Sequence, residues 1–209
     1  MAFFFSDAIN RSINMKNFLD DYFEGIETIS KLIDKSKINK IINIIYKLKK
    51  NSGRIFFLGV GGSAANAAHA VNDFRKLCDI DAYSPLDNVS ELTARTNDEG
   101  WDRVFIDYLK ISKLNKNDAL FILSVGGGNK SKNVSVNLIK AIEYAKKNKT
   151  ITMGIVGLDS GFTAKNADLV IKVPNINSSL ITPYSESFQS VILHSIVSHN
   201  KLKIKSTKW

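Results

Sequence analysis

A short apolar run, Ile55-Phe56-Phe57-Leu58, stops at the glycine cluster Gly59-Val60-Gly61-Gly62. Ser63 and an alanine-rich segment follow. This order constrains the chain more than any other stretch. It reads as a strand, a tight turn and a helix, with Ser63 at or near the helix N-cap. The glycines permit positive φ and let a ligand approach bare backbone. The free N–H groups and the positive end of the helix then suit a phosphate or another anion. No Gly-Lys-Ser/Thr follows, so the loop is not a nucleotide P-loop. It also lacks the third glycine of the dinucleotide fingerprint.

His69 and Asp73 lie four residues apart on the helix that follows and so share one face. Backbone donors and a His/carboxylate pair thus meet beyond one end of a strand, the usual ligand position of an open α/β sheet. The same spacing also fits a helix that packs its alanines and displays one His and one Asp by accident.

The rest of the chain repeats this unit. Helical spacing covers Asn14–Ile33 and Ser36–Lys50, and Asn51-Ser52-Gly53 ends the second helix. Strands are expected at Arg54–Leu58, Ile80–Tyr83, Ala119–Val125, Thr150–Val156 and Asp168–Val173. Helices are expected at Ser63–Leu77, Asn88–Arg95, Trp101–Leu114, Lys132–Lys147 and Ser185–His199. Pro174–Pro183 reads as a loop. Continuous apolar strands alternating with helices imply a three-layer α/β/α fold with a mostly parallel five-stranded sheet, flavodoxin-like in class. The chain of 209 residues fits one domain: N-terminal helices over 1–52, an α/β core over 53–199 and a basic tail over 200–209.

Composition excludes some classes. No apolar run reaches the roughly 18 residues of a membrane span, and the start does not read as a signal peptide. The single cysteine, Cys78, forms no internal disulfide and reads as a core thiol, which points to the cytoplasm. The net charge is +9, but the lysines are spread along the chain without interleaved aromatics. That favours solvated helix faces and phosphorylated small molecules over nucleic acid.

A second glycine turn, Gly126-Gly127-Gly128-Asn129-Lys130-Ser131, follows a strand ending in Ser124. It is a second candidate anion cradle, or simply a tight turn capped by serines. Two cradles in one sheet suggest a sugar phosphate. Thr93-Ala94-Arg95-Thr96-Asn97-Asp98 is a polar cluster between two helices. Asn97 and Asp98 there can bind sugar hydroxyls or cap the next helix. On the last helix Glu186 and His194 lie about 80° apart, closer than Gln189 and His194 at about 140°. His69, Asp73, Glu186 and His194 together make a set suited to zinc or to acid/base work. His199 reads as a surface residue.

Gly59-Val60-Gly61-Gly62-Ser63-Ala64-Ala65-Asn66-Ala67-Ala68-His69 resembles the Gly-Asn-Gly-Gly-Ser loop of the sugar isomerase (SIS) family. Leu92 to Trp101 resembles its Thr-Ala-x-x-Asn-Asp segment, and Ser124 to Val134 its phosphate loop. The last helix resembles a closing helix on which Gln and His, eight apart, face the site. Within the family the likeness is to bacterial sedoheptulose 7-phosphate isomerases, also called phosphoheptose isomerases. The resemblance implies an aldose–ketose isomerisation through an enediol, giving a manno-heptose 7-phosphate for nucleotide-activated heptose and surface glycans. It implies ligand contacts from Val60, Gly61, Gly62, Ser63, Ser124, Gly126 and Ser131, and sugar contacts from Asn97, Asp98 and Glu186. It places His69, Asp73, Glu186 and His194 at a Zn²⁺ site, with Asp73, Glu186 and His194 catalytic. It implies a homotetramer with shared sites. The family also holds non-catalytic proteins that bind a sugar phosphate or DnaA, and isomerases of other sugar phosphates; these are the alternatives. Four departures stand out. Val60 replaces Asn, Asp73 replaces Glu, Glu186 replaces Gln, and the second loop is longer with fewer hydroxyls, leaving Lys130 or Lys132 as substitutes at the phosphate.

Overall fold

A computed structural model describes residues 2–206, with side chains from residue 17 onward. The last three residues of the predicted basic tail, 207–209, and the side chain of Met15 on the predicted first helix lie outside the described residues. Five strands form one sheet: β1 (Ile55–Leu58), β2 (Ala82–Tyr83), β3 (Ala119–Ser124), β4 (Ile151–Val156) and β5 (Leu169–Lys172). Their order is β2-β1-β3-β4-β5 and every pairing is parallel.

Alternation along β1 explains the layers. Ile55 and Phe57 join one apolar cluster with Ala70, Phe74, Ile41, Ile45, Phe188 and Ile192. Phe56 and Leu58 join the opposite cluster with Val104, Phe105, Leu138 and Ile142. The first cluster is built by α1 (Ala2–Leu32), α2 (Lys35–Lys50), α3 (Gly62–Cys78) and α8 (Ile181–Val197). The second is built by α5 (Val104–Ile111) and α6 (Val136–Lys147), with α7 (Phe162–Asn166) beside them. α4 (Val89–Asp98) buries none of its residues. The chain leaves β1 toward β2 on one side and β3 on the other. This is a topological switch point, and both glycine turns open beside it.

Several predicted boundaries move. The N-cap of α3 is Gly61, at φ +65°, and Ser63 lies near it, buried within the first turn. α4 continues through Asp98, so the polar cluster around Asn97 is helix rather than connection, and the next helix starts only at Val104. α6 begins at Val136 rather than Lys132. Asn129 and Val134 exchange main-chain hydrogen bonds, and the Asn129 carboxamide accepts from the Ser131 hydroxyl and the Lys132 N–H. This local side-chain turn competes with the helix and wins. α8 begins at Ile181, inside the predicted Pro174–Pro183 loop. Pro183 falls in its first turn, where the missing N–H costs nothing.

One ion pair joins the base of the sheet to its loops. Arg54 Nε donates to Asp118 Oδ1 at 3.0 Å and Nη2 to Oδ2 at 2.7 Å, and Asp118 also accepts from the Asn115 N–H at 3.0 Å. Asp118 is 3% exposed. Removing one member strands the other charge. Asp118→Ala is expected to lower unfolding free energy by about 3 kcal/mol in urea titration; a change under about 1 kcal/mol would refute the role.

Candidate active site

α3 and α8 run side by side and carry the site. Asn66 Nδ2 donates to the Glu186 carbonyl at 2.8 Å and to Gln189 Oε1 at 3.1 Å. One turn further along, His69 and Asp73 on α3 meet His194 on α8. His69 Nε2 lies 3.0 Å from His194 Nε2, and Asp73 Oδ2 lies 3.3 Å and 3.5 Å from those two nitrogens. The rings meet edge to face, with planes 88° apart. Asp73 is largely covered at 14% exposure, while the imidazoles are about half exposed.

This triangle has a definite chemistry. Two Nε2 atoms 3.0 Å apart need a hydrogen on one of them, or a cation between their lone pairs. A tetrahedral ion with bonds of about 2.0 Å has donor–donor edges of about 3.3 Å. The three observed edges match one face of that tetrahedron. Two imidazoles and a carboxylate are a zinc-compatible set, and three protein ligands leave a fourth position for water or substrate. The same side chains can hold and move protons.

The structure brings together His69, Asp73 and His194, and this grouping does not include Glu186. The Glu186 carboxylate lies against Gly62 at the N-terminus of α3, so close that a Cβ there would fall 2.4 Å from Oε2. A carboxylate is favoured at that helix end. The first glycine turn is thus faced by an anion of the chain itself.

At the second turn the Gly127 N–H donates to Ser124 Oγ at 2.9 Å, and the Gly127 carbonyl accepts from Thr163 Oγ1 at 2.8 Å. Gly127 and Gly128 adopt φ +71° and +86°, a conformation that glycine accepts freely. A Cβ at Gly126 would meet open space. Ser131 is exposed and spends its hydroxyl on Asn129. Lys130 is tied to Glu143 and covers the Phe162 ring. Asn97 and Asp98 are exposed on α4, and Asn97 Nδ2 donates to Asp98 at 2.8 Å. Val60 is exposed in the first turn.

Sequence reasoning gave no role to Asn66, which fixes α3 against α8. Its signal was a lone carboxamide one turn before His69 on an alanine-rich face. It also missed Thr163, which seals the second turn. Ser185 Oγ and Gln189 Nε2 are buried without hydrogen-bond partners. Cys78 is a core thiol: its Sγ donates to the Val197 carbonyl at 3.5 Å, and burial pushes its pKa up to about 11.

The family profile described as SIS domain matches residues 18–157. The chain is 30% identical over 150 residues to a lincomycin biosynthesis protein of Streptomyces lincolnensis, covering 69% of this chain and 54% of that relative, about half its length. It is 28% identical over 193 residues to phosphoheptose isomerase 2 of Campylobacter jejuni, covering 88% of this chain and 90% of that one. The solved phosphoheptose isomerase of Neisseria gonorrhoeae superposes with a TM-score of 0.75 at 22% identity, covering 88% of this chain and 97% of that one. At that identity the superposition shows the fold.

The fit of the triangle to a tetrahedral ion is tested with added Zn²⁺. His69→Ala is then expected to weaken binding by at least about 100-fold in competition against a chromogenic chelator, the upper end of the cost of losing an outer-shell partner. Equal affinity in wild type and variant would refute the site.

Proposed function

The chain belongs to the SIS-domain family, and from that premise we propose that it is an aldose–ketose isomerase. Its substrate is sedoheptulose 7-phosphate and its product D-glycero-D-manno-heptose 7-phosphate, formed through an enediol. The product serves nucleotide-activated heptose and surface-glycan synthesis. The observation that carries this reading is the convergence of His69, Asp73 and His194 beside the strand ends, on a chain whose relatives include named phosphoheptose isomerases.

The chemistry needs a base for a carbon-bound proton and an acid for the adjacent oxygen. Asp73 moves the proton between C1 and C2, and His194, 3.5 Å from it, serves the oxygens. His69, Asp73 and His194 would hold Zn²⁺; when bound it would polarise the oxygens in place of a His194 proton, leaving the Asp73 oxygen outside the triangle to move the carbon-bound proton. Glu186, beside Gly62, meets sugar hydroxyls. The Gly126–Gly128 turn, with Ser124 and the N-terminal side of α6, receives the phosphate. Ser63 and the backbone of Val60, Gly61 and Gly62 line the sugar path.

The working form is a homotetramer with shared sites. α1 exposes Phe18, Leu19, Phe23 and Leu32, and α4 has no buried residue yet carries Asn97 and Asp98. A neighbouring subunit that covers these faces would bring Asn97 and Asp98 to a site. No helix among the described residues is long and apolar enough to cross a membrane. The free, buried thiol of Cys78 supports a cytoplasmic setting.

Proton NMR with sedoheptulose 7-phosphate in D₂O tests the reading. A growing aldose anomeric signal with deuterium at C2 is expected, and a chelator should abolish it. A folded protein giving neither product nor exchange would overturn the isomerase in favour of a sugar-phosphate-binding protein or another substrate. His194→Ala is expected to lower turnover by about 10²–10⁴-fold with an unchanged melting temperature; wild-type rates would remove His194 from the mechanism.

A further inference from the structure

The positive charge is segregated. Between Asp34 and Asp73 the chain holds seven cations and no carboxylate, and after Glu186 four cations and none. That leaves 18 of the 29 cations against all 20 carboxylates. The whole excess therefore sits on these two stretches, 150 or so residues apart in sequence, and the fold brings residues 201–205 of the second against α2 and the end of α3. Lys201 Nζ donates to Asn43 Oδ1 at 2.6 Å on α2, and the N–H groups of Ile204 and Lys205 both donate to the Leu77 carbonyl at the end of α3. Lys50 and Lys201 both lie over the Tyr46 ring, at 5.5 Å and 5.9 Å.

Lys40, Asn43, Lys47 and Lys50 follow helical spacing along one ridge of α2. Lys201, Lys203 and Lys205 continue the ridge along the tail. Among the described residues none of these six lysines has a carboxylate partner. Lys31, Lys110, Lys130, Lys140 and Lys172, elsewhere on the surface, all have one. Asp34 stays at the start of α2, where it caps Ser36 and Lys37, and Asp79 and Asp81 mark the far rim beside Arg75. Gly62 and Leu77 are separated by about 22 Å of helix, so the face lies at the opposite end of α3 from the glycine turn.

We propose that this face binds nucleic acid through its sugar-phosphate backbone. Unpaired lysines interleaved with exposed Asn39, Asn43 and Asn51 are the donors that phosphate oxygens take. No large apolar side chain of α2 is exposed, whereas a helix that lies in a membrane interface needs an apolar side to bury. The single strand is the simplest probe, because backbone contact requires no groove.

Fluorescence anisotropy of the full chain with a labelled single strand of about 20 nucleotides tests this across salt. Six neutralised phosphates predict a log–log salt slope of about −4. Lys40→Gln/Lys47→Gln/Lys201→Gln is expected to weaken binding at least tenfold and to flatten the slope by about 2. Its turnover of sugar phosphate should equal wild type, since none of the three belongs to the His69–Asp73–His194 triangle or to either glycine turn. Lys113→Gln/Lys116→Gln/Lys165→Gln removes the same charge from other surfaces and should leave the slope near wild type. Equal slopes in the two triple variants, or no binding at about 50 mM salt, would overturn the proposal. So would association with phosphatidylserine vesicles in the absence of nucleic-acid binding.

Discussion

The site depends on the parallel alignment of α3 and α8, and that alignment rests on a carboxamide. Asn66 reaches from α3 to the Glu186 carbonyl and the Gln189 side chain, which fixes both the separation and the axial register of the two helices. A hydrogen bond of this kind contributes only about 1 kcal/mol net to stability. Its geometric effect is larger. A slip of one residue would move His194 by about 1.5 Å along the axis and by 100° around it, and the three edges of 3.0, 3.3 and 3.5 Å would be lost. Apolar packing of Phe74, Ile192 and Ile196 supplies the energy that holds the pair together. The polar bridge selects one arrangement among several that would bury similar area.

The triangle is also electrostatically unsatisfied in a way that explains its use. Its two imidazole nitrogens face each other at a distance that asks for a proton or a cation, and the one carboxylate beside them is mostly covered. The rings remain half exposed. The cluster is open to solvent with its lone pairs directed at one point, an arrangement in which a proton or a cation can be exchanged. The two glycine turns flank this cluster differently. The first is faced by Glu186, while the second is closed by Ser124 and Thr163 and has open space at Gly126. The first turn therefore presents a carboxylate and the second bare backbone, so the two differ in the charge they offer.

Much of the fold was legible in the sequence because strand burial is two-sided. β1 and β3 are buried at every position and apolar at all but Ser124, and such runs beside glycine turns have few other uses. Cap positions were less legible because they are set by tertiary neighbours. Ser63 has the chemistry of a cap, but Gly61 turns the chain at positive φ and the helix starts without a side-chain cap. The start of α6 was hidden for the opposite reason: Asn129 organises its own local turn and delays the helix by four residues. The basic face was not legible because its halves lie on α2 and on the tail. Each looks like an ordinary solvated run until Lys201 is seen on Asn43.

Glu186 shows how a helical-wheel argument can be half right. Glu186 and His194 are about 80° apart around α8, so both face α3, as the angular argument requires. They are also separated by about 12 Å along the axis, which the wheel does not display. Asp73 and His69 are only four residues apart, and their side chains meet without spanning that rise. Glu186 instead finds the nearest positive partner, the exposed N-terminal turn of α3 at Gly62, two turns before His69. Asp73 completes the triangle because α8 brings His194 to it, and Glu186 lies against a different stretch of α3, where the bare backbone of Gly62 leaves room for its carboxylate.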